Sequence, residues 1–344
     1  MEISEILAID IGAGTQDILF YDKAKYIENC PKMILPSASS ILSNKVKRIT
    51  EEGKNIFFYG GIIGGHPLSS YVKKHIKAGY RVYATSSAVK TFRDNLEEIK
   101  TWGIEIVEDD PGGCVKLELL DINLKMLSQS LAPYEIKIPS LIAIAVQDHG
   151  ESLKGSNRKF RFTHWKDFLD KGGLFSELVY KEPPPYFTRM LSIKKSLLCD
   201  TIFMDTGPAG IMGAFCDPKV EEHRKTGLII VNIGNQHTIC SIVKKDKIFA
   251  ILEHHTREMD EEKIIETIER FKKREITDEE VFADRGHGVY FSPDLTEDCT
   301  SWPVTVTGPK RHIAFRGSYY FAVPRGDMML TGCFGLIEAV RTLL

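Results

Sequence analysis

Two short stretches carry residue types that can hold phosphate. Asp10-Ile11-Gly12-Ala13-Gly14-Thr15 and Asn232-Ile233-Gly234-Asn235-Gln236-His237-Thr238 follow one plan. Each closes an apolar run with Asp or Asn, then a bulky apolar residue, then glycine, then a hydroxyl residue soon after. Gly12 and Gly14 lack Cβ atoms and let the backbone reach positive φ, so amide N–H groups can converge on an anion. The Thr15 hydroxyl adds a donor. Asp10 can hold a magnesium ion through water, because that ion keeps much of its hydration shell. Two such turns face to face would grip the β- and γ-phosphates of a nucleotide. Glycine turns also simply close hairpins, but the duplication argues against that reading here.

The elements that must position these turns follow from periodicity. Glu5–Ile11 and Ile18–Tyr21 are apolar runs too close together for a helix between them, hence a β-hairpin. Leu228–Ile233 and Ile239–Val243 repeat the theme, with Ile248–Leu252 as a third strand and a helix over Asp260–Lys273. Ser39–Thr50 has helical spacing. From Ile56 to Val107 strands and helices alternate: strands at 56–59, 81–84 and 104–107, helices at 67–78 and 87–102. That order implies parallel pairing. Leu141–Val146 is a buried strand ending in Gln147-Asp148-His149-Gly150. Segment 151–186 is polar and then proline-rich, and reads as a surface excursion. A helix (187–198), a strand (201–204) and a small-residue helix after Gly207 follow. The charged stretch 218–226 marks a boundary; Val304–Val306 is a strand and Met328–Leu343 a closing helix.

Composition removes several classes. The 344 residues predict two or three domains. With 45 basic and 47 acidic side chains, net charge is −2, which gives no field for nucleic acid or anionic lipid. No apolar run is long enough to span a bilayer, and Met1–Glu5 has no basic n-region for a signal peptide. The seven cysteines show no CxxC spacing, which points to a reducing cytoplasm. Histidines are scattered, so no structural metal site is expected; His149 and His287, each beside glycine, are site candidates or turn residues. GxGxxG and GxxxxGK[ST] are both absent. Gly60-Gly61-Ile62-Ile63-Gly64-Gly65 reads as tight packing or a mobile turn.

Taken together, the segments resemble the actin, sugar-kinase and heat-shock-chaperone ATPase superfamily. Asp10–Thr15 and Asn232–Thr238 are similar to its two phosphate motifs. Asp205–Ala214 and Gly332–Ala339 are similar to its connecting helices, and Val304–Lys310 to the strand and glycine turn beneath the adenosine. Gln147–Gly150 and Arg285–Gly288 further resemble an uncharacterised prokaryotic family labelled "putative pyruvate formate-lyase activating enzyme". A radical activating enzyme needs a CxxxCxxC cluster motif, which this chain lacks.

The resemblance implies an α/β, two-lobed actin-like (ribonuclease H-like) ATPase fold with an extra α/β insertion in the first lobe. Residues 1–217 would form the first lobe, with the insertion at about 53–135, and residues 218–344 the second. ATP and Mg2+ are the implied cofactors. Gly12, Ala13, Gly14, Thr15, Gly234, Asn235, Thr238, Gly308, Pro309 and Lys310 would bind nucleotide. Asp10 and, through water, Asn232 would hold the metal; Asn232 replaces the superfamily's usual Asp and brings no charge. Gln147, Asp148 and Asp205 are the candidates to orient or deprotonate the nucleophile, since positioning dominates phosphoryl transfer. Asp205 could equally be a helix N-cap. The expected function is ATP hydrolysis driving a change in a protein partner or substrate. The alternatives are a small-molecule kinase and a nucleotide-gated binding module without turnover.

Overall fold

The apolar runs become strands of three sheets in a computed structural model, which describes residues 4–152 and 156–343. Met1–Ile3 of the opening segment, Leu153–Gly155 of the polar stretch and Leu344 lie outside the described residues. The first sheet runs β3-β2-β1-β8-β9, from β1 (Glu5–Ile11), β2 (Thr15–Asp22), β3 (Lys32–Pro36), β8 (Leu141–Val146) and β9 (Asp200–Met204). The second runs β13-β12-β11-β10-β14-β15. Its strands are β10 (Leu228–Ile233), β11 (His237–Lys244), β12 (Lys247–His255), β13 (Gly288–Phe291), β14 (Val304–Thr307) and β15 (Tyr320–Phe321).

Pairing repeats as faithfully as order. β1 is antiparallel to β2 and parallel to β8, and β10 is antiparallel to β11 and parallel to β14. Apart from β13 at one edge, the two sheets share one topology, and this duplicated order is the two-lobed actin-like arrangement. The hairpins are local, so short glycine turns suffice; the parallel partners arrive only after long crossovers. Side chains alternate accordingly. Ile6 and Ala8 join a core shared with Leu228 and Ile230, while Leu7, Ile9 and Ile11 pack on the outer face.

The connecting helices, Thr206–Ala214 and Thr331–Thr342, cross inside that shared core. A Cβ at Gly213 would run into the Thr331 carbonyl, and one at Gly335 into the Ala209 carbonyl. Backbone meets backbone here, so the small residues are required by the crossing. The second connecting helix also packs on β1 and β8.

The third sheet is wholly parallel, in the order β6-β5-β4-β7, from β4 (Asn55–Gly60), β5 (Val82–Ala84), β6 (Ile104–Ile106) and β7 (Cys114–Leu119). It has its own core, which takes in Leu42, Val46 and Ile49 of the helix Ala38–Glu51.

Three expectations are corrected. The helix read over 87–102 is a 3₁₀ turn (Ala88–Thr91) and a separate helix (Leu96–Trp102), because the Asn95 side chain caps the Glu97 amide and starts the chain afresh. The 151–186 excursion contains the helix Asn157–Asp170, with Arg161, Phe162, Trp165, Phe168 and Leu169 buried. The closing helix begins as a 3₁₀ turn at Met328–Leu330. Among the described residues, no helix is long and apolar enough to cross a membrane.

Candidate functional site

Both glycine turns close in the same way: the Gly12 amide donates to the Thr15 carbonyl at 2.9 Å, and the Gly234 amide to the His237 carbonyl at 2.9 Å. Neither Gly12, Gly14 nor Gly234 takes a positive φ, contrary to the expectation for the first turn. Space is the reason for glycine instead. A Cβ on Gly14 would sit 3.2 Å from Asn235 Nδ2, so the turns face one another directly. One cavity of about 820 Å³ is lined by Gly12, Ala13 and Thr15 from the first turn and by Gly234 and Asn235 from the second.

Gly308 and Pro309 line the same cavity. Lys310 does not: its side chain is exposed, and its amide donates to the Ile233 carbonyl at 3.0 Å, bracing the second turn. Thr238 is fully buried beneath the turn, with its hydroxyl 3.0 Å from that of Thr256. Those two residues therefore support the cradle from outside the cavity.

Asp10 and Asn232 occupy matching places at the ends of β1 and β10. Each lies against a bare stretch of connecting helix: a Cβ at Gly332 would strike the Asp10 carboxylate, and one at Gly210 the Asn232 carboxamide. Asp10 Oδ1 is buried without a hydrogen-bond partner. Burial, and then the charges of Asp17 and Asp205, push the Asp10 pKa well above the ordinary carboxylate range. Asp17, its cross-strand partner, is raised to about 7, chiefly by burial. Carboxylates crowded together with an orphaned oxygen fit a bound cation, so the residues present suit a magnesium ion.

The three catalytic candidates differ in how their side chains are used. Asp148 accepts from the amides of Gly150 (2.9 Å), Arg189 (2.8 Å) and Met190 (3.0 Å), which ties the loop after β8 to the helix Thr188–Ser196. Asp205 caps its helix by accepting from the Gly207 amide, and pairs with both terminal nitrogens of Arg161 at 2.8 and 3.1 Å. Gln147 lines the cavity and donates to Glu253 Oε1 at 3.2 Å.

Behind Gln147 lies a buried network that the sequence did not announce. Arg161 Nε donates to both oxygens of Glu253 at 2.9 and 2.8 Å, and the Trp165 indole donates to Glu253 Oε2 at 3.0 Å. Burial alone would raise the Glu253 pKa, but Arg161 and the neighbouring histidines hold it well below the ordinary value. A charged residue inside the apolar run Ile251-Leu252-Glu253 was the available signal, since a buried carboxylate needs a partner. Arg161 had no comparable signal in a helix rich in exposed charge.

The scattered histidines converge. His149 follows β8, His237 opens β11 beside the second turn, and His287 precedes β13; their ligating nitrogens lie within 4.8 Å of one another. His255 is a fourth neighbour, with its ring centroid 4.9 Å from that of His237 and 4.8 Å from that of His287. Burial above all depresses the pKa values of three residues, His149 well below the usual range, His255 to about 4 and His287 to about 3.

The third sheet supplies the remaining wall, through Ile62–His66, Lys73, Lys90 and Arg93. Its glycine run is packed tightly, as expected. The Ile62 amide donates to Ser192 Oγ at 2.8 Å, and a Cβ on Gly64 would sit 3.2 Å from the Arg189 guanidinium.

Residues 63–313 match the family described as "Putative pyruvate format-lyase activating enzyme (DUF1786)". None of the curated proteins matches the chain. Among solved structures, the ethanolamine utilization protein EutJ from Carboxydothermus hydrogenoformans is similar, at 12% identity and a TM-score of 0.33, over 98% of this chain and 90% of that one. A protein of Bacteroides thetaiotaomicron with an actin-like ATPase fold and unknown function is similar at 8% identity and a TM-score of 0.38, over 98% and 96% of the two chains. Superpositions this weak leave the repeated strand order as the ground for the fold.

Proposed function

The chain belongs to that family, and we propose that it binds Mg-ATP between its two glycine turns and hydrolyses it to drive a change in a partner or substrate. One observation carries the reading: turns from opposite halves of the chain face each other across a single cavity, beside a buried carboxylate with an unpartnered oxygen. Two lobes, residues 1–217 and 218–344, would close over the nucleotide about the crossing helices.

Asp10, and Asn232 through water, would hold the magnesium, which supplies charge neutralisation at the phosphates. Backbone amides of residues 13–15 and of Asn235 would bind the phosphates, with Gly12 and Gly234 lining the cradle while their own amides close the turns, and Gly308 and Pro309 would take the adenosine side. Gln147, held by Glu253, would orient a water. Asp205, already committed to Arg161 and Gly207, keeps the first connecting helix in place. Asp148 holds the loop that carries Gln147. The reading departs from the family's description, since the seven free cysteines offer no cluster motif. They fit a reducing compartment such as the cytoplasm.

A small-molecule kinase is the second reading. It is favoured by the third wall, where Lys73, with Lys90 and Arg93 beside it in ion pairs to Glu151 and Glu98, could receive an anionic acceptor. Titration calorimetry with Mg-ATP, followed by phosphate-release assays with and without added metabolites, separates the two. Phosphate release by the protein alone supports hydrolysis, and transfer only with an acceptor supports the kinase. Binding without any turnover would leave a nucleotide-gated module. Asp10→Ala is expected to weaken Mg-ATP binding roughly ten- to a hundredfold, the scale of a hydrogen bond to a charged group. Unchanged affinity would contradict the role given to Asp10.

A further inference from the structure

We propose that His149, His237 and His287 form a second metal site, distinct from the Asp10 position, which takes a first-row divalent transition ion of the zinc class. Three strand-end loops from both halves of the chain bring these side chains together, and all three line the central cavity. Their ligating nitrogens already lie within 4.8 Å of one another, a separation that a single ion with nitrogen bonds of about 2.0–2.1 Å can span with little movement.

An independent observation points to a missing ligand. His287 is 1% exposed, and neither of its ring nitrogens has a hydrogen-bond partner. Leaving polar atoms buried and unpaired is costly, and an ion in the centre of the trio would give one of these two nitrogens its partner. The surroundings also resemble the support that metal-binding imidazoles receive. His237 Nδ1 lies 2.9 Å from Glu253 Oε1, within ion-pair distance although not aligned as a hydrogen bond, so Nε2 is the nitrogen left to ligate. Glu253 is in turn fixed by Arg161, Trp165 and Gln147. A carboxylate behind a ligating histidine sets its tautomer and raises its basicity.

Charge balance favours a cation as well. The single positive charge of Arg161 faces two carboxylates, Glu253 and Asp205, so this buried group carries a net negative charge. The donor set selects among ions: imidazole suits zinc, iron, nickel and copper, whereas magnesium and calcium prefer oxygen. Three protein ligands leave a position open within the cavity, the pattern of a site that binds a substrate or water oxygen. Gln147, beside His149 and bonded to Glu253, links this site to the nucleotide cleft.

The test uses the full chain without a histidine tag, stripped by chelator and titrated with Co2+ alone and then with Zn2+. The expected result is one equivalent of Co2+ with visible ligand-field absorption, bleached by Zn2+, and a rise in thermal midpoint with metal concentration. His287→Ala and His149→Ala should each weaken binding by roughly a hundredfold or more, beyond the roughly 10–100-fold cost of losing a supporting residue. His254→Ala, whose ring bonds Asp284 instead, should bind as wild type. Circular dichroism checks folding, and the two ligand variants guard against one of them failing to fold. Absence of stoichiometric binding, or wild-type affinity in both folded ligand variants, would overturn the site. Mg-ATP calorimetry on the same preparations is read separately, so failure of the nucleotide reading leaves this outcome legible.

Discussion

Arg161 spreads its guanidinium between Asp205 at the end of β9 and Glu253 on β12, and all three side chains are sealed from water. Removing one partner from such a group leaves the others charged and uncompensated, which costs about 3–5 kcal/mol. Arg161→Met should therefore lower unfolding stability by about that amount in urea titrations; a loss under about 1 kcal/mol would show the network to be dispensable. The sequence could not distinguish Arg161 from Arg158 or Lys159, because residue type does not report which face of a charged helix is buried. Asp10 and the glycines of the two turns were readable for the opposite reason. Their spacing repeats along the chain, and the structure brings the two repeats to one cavity. Thr238 belonged to the second of these motifs and Lys310 to the turn after β14, yet one faces the interior and the other solvent, a distinction that residue type does not report.

At the level of elements, the crossing helices are the most constrained contact. Gly335 and Gly213 let two backbones touch, so a larger side chain must push the helices apart. Gly335→Val should cost at least the 1–3 kcal/mol or so typical of overpacking, and should weaken Mg-ATP binding along with the melting temperature. Retained nucleotide affinity in a destabilised variant would separate the crossing from closure of the cleft. These helices were legible because small residues are rare enough in runs to be a signal. The hairpins were legible because their pairing is local. Harder elements had weak or broken patterns. β3 carries only the three-residue apolar run Met33-Ile34-Leu35, hemmed in by Pro31 and Pro36 and alternating between exposed and half-buried positions, which is too short to stand out. The helix read over 87–102 is interrupted at Asp94-Asn95, whose side chains compete for backbone amides.

Across the whole molecule, two sheets of one topology hold the two turns face to face, and a third sheet closes the wall between them. This arrangement gives the cleft three contributions: the two glycine turns, a histidine trio and a wall carrying Lys73, Lys90 and Arg93. The first was predictable from repetition along the chain. The trio was not, since His149, His237 and His287 are distant in sequence and meet only once both sheets are assembled. A crystal structure of the chain with magnesium and a non-hydrolysable ATP analogue tests the central claim most directly. The account predicts the terminal phosphates held between the amides of residues 13–15 and that of Asn235, with the metal beside Asp10. A nucleotide that touches only one of the two turns, or that binds outside this cavity, would contradict it.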